Sequence, residues 1–214
     1  MQHTPPPADH DMELIAGALC LDFTNTIGGT HEAPTHEHLN SYADLVTFAR
    51  SAGTLPPAAD KRLLAEAERH PEIATQMYRR GISLREAIAR AFSSIAAGRA
   101  PTASDLAVIG EVTADAHAHA RVIRTANGFE WTWADDDASL ARPLWAIARS
   151  ATEILTSDAE LDRVRECASE TCSWLFLDRS RNHSRRWCDM SDCGNRAKQR
   201  RFQQRQARAA RKAR

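Results

Sequence analysis

The chain has 214 residues, 43% of them hydrophobic, and its 28 basic side chains balance 28 acidic ones. A bulk charge of zero would exclude a partner chosen by electrostatics, but the zero is a sum of unlike parts. Residues 1–160 carry 13 Lys/Arg against 22 Asp/Glu, a net of −9, whereas residues 161–214 carry 15 against 6, a net of +9, which directs a polyanion to the second part.

Residues 1–13, with three prolines, read as a loose lead-in without the basic start of a signal peptide. The apolar run at 14–21 is too short to span a bilayer and ends at Asp22, so the expectation is a soluble, cytoplasmic protein with no membrane partner and with reduced thiols. Residues 17–25 fit either a buried strand or the first turns of a helix, because periodicity cannot separate the two at this length. A loop is predicted over 28–38, then a helix over 39–52 ended by Gly53-Thr54-Leu55-Pro56-Pro57, and a short helix over 58–69. The helical pattern over 72–97 is interrupted by Gly81, and Ser83-Leu84-Arg85-Glu86 resembles a capping box, which predicts two helices there. A helix over 102–119 follows, with Leu106, Ile109, Val112 and Ala116 as its apolar stripe. Asn127-Gly128 between β-branched and aromatic residues predicts a hairpin over 122–133. A polar turn at Asp135–Asp137 leads to an apolar helix over 140–155. The predicted fold is mainly α. A helical N-terminal domain (1–160) carries one β-hairpin, and a small four-cysteine zinc finger with a basic C-terminal helix (161–214) follows.

Within the first domain, Asp22 and Asn25 interrupt an apolar segment and need partners if buried. Arg85, on the next long helix, is the candidate. The trio forms either a structural buried cluster or the polar end of a small-ligand pocket lined by Phe23, Ile88, Phe92 and Trp145. His31, Glu32, His36, Glu37 and His38 are ligand-type side chains at loose spacing, read as an exposed polar loop in preference to a second metal site. His117 and His119 read as surface residues. No nucleophile–base pair, Gly-rich phosphate loop or paired carboxylates stand at a convincing spacing, so no enzyme is expected.

Cys167, Cys172, Cys188 and Cys193 form C-x4-C-x15-C-x4-C. Two short cysteine turns brought together supply four soft ligands at the corners of a tetrahedron, the set that holds one structural Zn²⁺, and they staple a segment too small for a core of its own. Four sulfur ligands leave no open position for catalysis. Four thiolates and one Zn²⁺ sum to −2, so nearby cations stabilise the site, and Arg185, Arg186, Arg196 and Lys198 are divided between that role and phosphate. The remaining Cys20 reads as a small core residue.

From Arg196 to the end there are nine basic residues and no acidic one. At about 100° per residue they fall within one arc of about 200°, opposite an uncharged face of Gln, Ala and Phe202. Phe202 is expected to dock on the finger or the hairpin. One large apolar residue is too little for a membrane helix, so a nucleic acid fits best. Its candidate contacts are Arg179, Arg181, Arg185 and Arg186 of the cysteine loop and Arg196, Lys198, Arg200, Arg201, Arg205 and Arg208 of the helix. Asn195 is read as a helix cap and Gly194 as the residue that permits a sharp turn. The rival readings are a solvated helix or disordered tail kept basic for solubility, RNA, an acidic protein partner, or masking of the tail by the −9 body.

Two stretches carry a resemblance. Arg185-Arg186-Trp187-Cys188-Asp189-Met190 together with Cys193-Gly194-Asn195-Arg196 resembles the CGNR zinc-finger family. Leu19-Cys20-Leu21-Asp22-Phe23-Thr24-Asn25-Thr26 is similar to the start of the ABATE domain that precedes such fingers. The resemblance implies a bacterial transcription regulator whose finger binds DNA. The expectation for the N-terminal domain is that it senses a small-molecule effector or forms a homodimer.

Overall fold

The computed structural model describes residues 14–133 and 139–212 of the chain, so the lead-in and the turn at Asp135–Asp137 lie outside the described residues. In chain order the elements are α1 (Leu19–Thr24), the antiparallel pair β1 (Ile27–Gly29) and β2 (Pro34–Glu37), α2 (Tyr42–Ser51), α3 (Ala59–Arg69), α4 (Pro71–Ala96) and α5 (Ala103–His119). The hairpin β3 (Ala120–Thr125) and β4 (Gly128–Trp133), α6 (Arg142–Leu155) and α7 (Asp158–Leu161) follow. The third antiparallel pair, β5 (Val164–Glu166) and β6 (Leu175–Leu177), leads to a π-helical turn (Met190–Gly194) and α8 (Asn195–Lys212). The fold is mainly α, as expected, with three two-stranded sheets among the described residues in place of the single expected hairpin.

The ambiguous 17–25 segment is the short helix α1, enclosed so completely that Cys20, Leu21 and Phe23 have no exposed surface. α4 is the central element. Its buried Leu84, Ala87, Ile88, Ala91 and Phe92 recur at helical spacing and face α1, α5 and α6. The predicted break within it does not occur. A Cβ on Gly81 would stand 2.9 Å from Leu45 Cδ1 and 3.2 Å from Leu144 Cδ2, so the glycine is a notch that lets α2 and α6 approach one continuous helix. Its helix-propensity cost of about 1 kcal/mol is offset by that contact.

Two smaller expectations also change. On α5 the buried positions are Asp105, Ile109, Val112, Thr113 and Ala116, and Leu106 is 41% exposed. The stripe begins at Asp105, whose carboxylate is satisfied by Arg90. In the β3–β4 hairpin Thr125 pairs with Gly128, so Ala126-Asn127 form the turn and Gly128 (φ +128°) opens β4.

The hydrophobic core does not stop at residue 160. One cluster runs from α1, α2, α4 and α6 into Val164, Leu175, Phe176 and Leu177 and on to the four cysteines near the C-terminus. Hydrogen bonds reinforce the seam. Leu177 N–H donates to the Ala16 carbonyl (2.8 Å), Ser173 N–H to the Gly29 carbonyl (3.0 Å) and Trp174 Nε1–H to the Ile27 carbonyl (2.8 Å). The start of the finger thus packs on the helical body through β5 and β6.

Candidate metal centre and nucleic-acid interface

β5 delivers Cys167, and a tight turn returns through Cys172 to β6. Cys167 N–H donates to the Trp174 carbonyl (2.9 Å), and Ala168 N–H to the Arg186 carbonyl (2.8 Å), which brings the second cysteine pair alongside the first. All four cysteines are buried and their sulfur atoms lie within 4.8 Å of one another. Cys172 and Cys188 Sγ are 3.7 Å apart, as are Cys188 and Cys193 Sγ. Zn–S bonds of about 2.3 Å give a tetrahedron with edges of about 3.8 Å. The donor set therefore fits one structural zinc ion held by four thiolates. At this spacing the four thiols are in conflict: hydrogen bonds from Cys172 and Cys188 hold the Cys167 thiol well below its usual range, whereas the bond to Cys167 pushes Cys172 and Cys188 up. A divalent cation at the centre removes that conflict and permits four thiolates together.

Buried Asp178 shapes the loop between the pairs, a role missed in sequence. One carboxylate oxygen accepts from Ser180 N–H (2.9 Å) and Ser180 Oγ–H (2.6 Å), and the other from Arg185 N–H (2.9 Å). Burial alone would raise its pKa, yet these bonds hold it below the ordinary carboxylate value. The available signal was the Asp-x-Ser spacing typical of a side-chain-closed turn. Asp189 caps the π-helical turn by accepting from Ser191 N–H and Oγ–H. Asn195 already has helical backbone angles and donates back to the Ser191 carbonyl (2.8 Å), so it is not the cap. Gly194 has no positive φ, and a Cβ there would meet only Met190 Sδ at 2.6 Å, the end of a flexible and half-exposed side chain that can swing aside, so the turn does not depend on glycine.

The ten candidate nucleic-acid residues divide by their partners. Arg196 Nη2 donates to Cys193 Sγ (3.0 Å) and pairs with Asp192 (2.9 Å), placing a cation on the thiolate cluster. Arg185 is committed to the loop. Its Nε–H donates to the Trp187 carbonyl (3.0 Å), its Nη2 reaches the Cys188 carbonyl, and its guanidinium lies 4.4 Å from the Phe176 ring centroid. Arg179 pairs with Glu160 (2.9 Å) and Arg200 with Glu170. Arg186 and Arg201 both lie over Trp187, at 5.6 and 6.0 Å, contacts that leave their N–H groups free. Arg181, Lys198 and Arg205 are exposed, with no ion pair among the described residues. The side chain of Arg208 lies outside the described ones. Arg186, Arg196, Arg200, Arg201 and Trp187 converge on a notch of about 180 Å³ between the first cysteine turn and α8. Phe202, expected to dock, is 62% exposed.

The proposed trio in the body does not assemble. Asp22 accepts from Ala16 N–H (2.8 Å), and burial pushes its pKa up to about 6. Asn25 donates to the Leu175 carbonyl (2.9 Å) and accepts from Leu175 N–H (3.0 Å), a clasp between the body and β6. Arg85 instead makes two bonds of 2.6 Å to Glu37 and one of 3.1 Å to Thr26 Oγ1. Phe23, Ile88, Phe92 and Trp145 are all fully buried core residues and do not line the cleft between β1, α4 and β6 that Asn25 and Arg85 border. His31 shares a hydrogen bond with Ser93 Oγ (3.1 Å), and with Glu37 bound to Arg85 the loop gathers no ligand set. Among the described residues the four cysteines are the only metal-type group. His119 is not a free surface residue, since it stacks on Trp145 with centroids 4.5 Å apart.

Residues 17–158 match the ABATE family, described as "Putative stress-induced transcription regulator", and residues 163–206 match the CGNR zinc finger. No curated protein matches the chain. No helix of the described residues is long and apolar enough to cross a membrane. With its ABATE match covering more than half of its length and the four-sulfur centre in the second match, the chain belongs to the ABATE family and carries a zinc-binding CGNR finger.

Proposed function

We propose that the protein is a bacterial, cytoplasmic, non-enzymatic transcription regulator that binds DNA through the zinc-held start of α8 and the loop beside it. The observation that carries this reading is that α8 begins two residues after the fourth cysteine, beside the arginine-lined notch. Zinc thereby fixes the direction of a helix whose Arg201 and Arg205, with Lys198, Arg181 and Arg186, present free N–H groups. Of the ion pairs made by the described α8 side chains, both end on Asp192 and Glu170 of the finger, so none spends a tail cation on the acidic body. Five free cations correspond to a log–log salt slope of about −4.5 on duplex DNA.

Gel-shift titration of the zinc-loaded chain on genomic fragments at several salt concentrations tests this. The expected outcome is binding that weakens steeply with salt and further in R201A/R205A; no binding at low salt overturns it. Competition by structured RNA stronger than by duplex DNA would favour the RNA reading instead, because charge alone does not separate them. The N-terminal domain supplies regulation in this proposal, by an effector or by self-association. Phe129 and Trp131, 76% and 62% exposed, share one face of the β3–β4 hairpin with Val122 and form a surface suited to a second copy.

A further inference from the structure

The cleft bordered by Asn25 and Arg85 has a volume of about 560 Å³, within the range of about 300–1,000 Å³ usual for small-molecule sites. Ile27, Ala89 and Trp174 give it apolar walls, and the Trp174 indole is fixed by its bond to the Ile27 carbonyl (2.8 Å). Three arginines border it, and they are not equivalent. Arg85 is neutralised by Glu37, and Arg90 by Asp105 at 2.7 Å with Glu86 further off at 3.7 Å. Arg99 lies just past the end of α4, and its guanidinium has no partner among the described residues. Beside it on the last turn of α4 are the hydroxyls of Ser93 and Ser94, the second also without a partner. Glu86 stands about 12 Å back along the helix from Ser94, so one end of the cleft holds a free cation and hydroxyls while its middle is apolar.

We infer that this cleft binds a small organic anion with a flat apolar body, the anionic group on Arg99 and the Ser93–Ser94 hydroxyls and the body against Trp174, Ile27 and Ala89. A bare inorganic anion would leave the apolar walls unused, and a neutral ligand would make no use of the solvent-exposed guanidinium. The site also has an outlet. Trp174 offers its carbonyl to the N–H of Cys167, so the residue that would contact the ligand is hydrogen-bonded to the first zinc ligand. Occupation of the cleft therefore braces the turn from which the finger starts. The inference deepens, and in that respect rests on, the effector-sensing part of the proposed function.

The test uses the zinc-loaded full chain and two fluorescent probes of nearly the same shape. These are the anion 1-anilinonaphthalene-8-sulfonate and its uncharged relative N-phenyl-1-naphthylamine. Saturable binding of both is expected. R99A should weaken the sulfonate about threefold to fivefold, as expected for an exposed cation, while leaving the neutral probe unchanged. A89W should fill the cleft and abolish both signals, with zinc content and circular dichroism unchanged. Sulfonate binding that survives A89W, or that R99A leaves intact, overturns the assignment. DNA affinity of the same proteins separates the two readings. Loss of DNA binding in the wild-type chain would sink the regulator proposal without touching the cleft. Loss of probe binding would sink the cleft without touching DNA recognition.

Discussion

The two halves of the finger are held by different forces. Residues 164–177 contribute Val164, Leu175, Phe176 and Leu177 to the common core and are tied to residues 16–29 by backbone bonds and by Asn25. Past Cys193 the chain leaves that core. α8 makes its close contacts with the π-helical turn, its described side chains from Lys198 onward are exposed, and its one large apolar residue touches no core. The first half is positioned by burial and the second by four sulfur atoms. A module this small would not fold on its own core, and here it borrows one at one end and uses metal at the other.

Removing the metal separates the halves most sharply. Structural zinc in finger peptides contributes about 10–16 kcal/mol of apparent binding energy, more than a segment of this size gains from packing. C188S is expected to lose zinc and hydrogen-exchange protection across 178–195 and to release α8, while amides of α4, α6 and Leu175–Leu177 stay protected. Loss of protection throughout the chain would mean that the body depends on the metal as well. Next in size is the clasp. Asn25 makes two buried hydrogen bonds to Leu175, and N25A leaves both backbone groups of Leu175 without their partner, a cost of about 2–3 kcal/mol. Denaturant melts with zinc bound measure it, and the shift should be accompanied by faster zinc loss to a chelator. A loss below about 0.5 kcal/mol would show that the seam is held by apolar burial alone.

The body has its own internal contrast at Asp22. Burial raises its folded pKa to about 6, above the ordinary carboxylate value of about 3.9. Between these values the folded chain binds the extra proton, so this group's contribution is fully present below about pH 4 and is lost as pH rises to about 6. The change is on the order of 2 kcal/mol. Glu37 acts oppositely. Burial opposes its charge, but the Arg85 bonds prevail and lower its pKa, so its contribution is present at neutral pH and lost on acidification. D22N should therefore remove a decline in stability between pH 4 and pH 7 that the wild type retains, and an unchanged slope would place the titration elsewhere.

These contrasts also mark what the sequence conveys. The cysteine spacing, the helices α2, α3, α5 and α6 and the second hairpin follow from local signals: ligand intervals, glycine and proline stops, and an Asn-Gly pair. The β1–β2 pair does not, because Gly28-Gly29 and Pro34 carry no alternation and the pairing is irregular between Ile27 and Gly29. Gly81 is read as a break because its reason lies in Leu45 and Leu144, which no window along α4 contains. Asn25 stands out in the sequence as a polar residue in an apolar run, but its partner Leu175 is 150 residues away. The arginines follow the same rule. Their clustering is legible, and the division into free and committed cations depends on carbonyls, carboxylates and rings that only the folded chain brings together.

The smallest expected effect tests the undocked half directly. Phe202 lies opposite the basic arc and is 62% exposed, so truncating it removes little surface that folding had buried. F202A should change the stability of the zinc-loaded chain by less than about 0.5 kcal/mol and leave its zinc content unaltered. A Phe that docked on the finger or hairpin would instead cost about 3 kcal/mol or more on truncation. The same variant separates two uses of α8. If the helix meets DNA through its basic side, affinity and salt slope persist in F202A and fall in R201A/R205A. If the uncharged side is the contact face, the order reverses, and the role assigned to the cations fails with it.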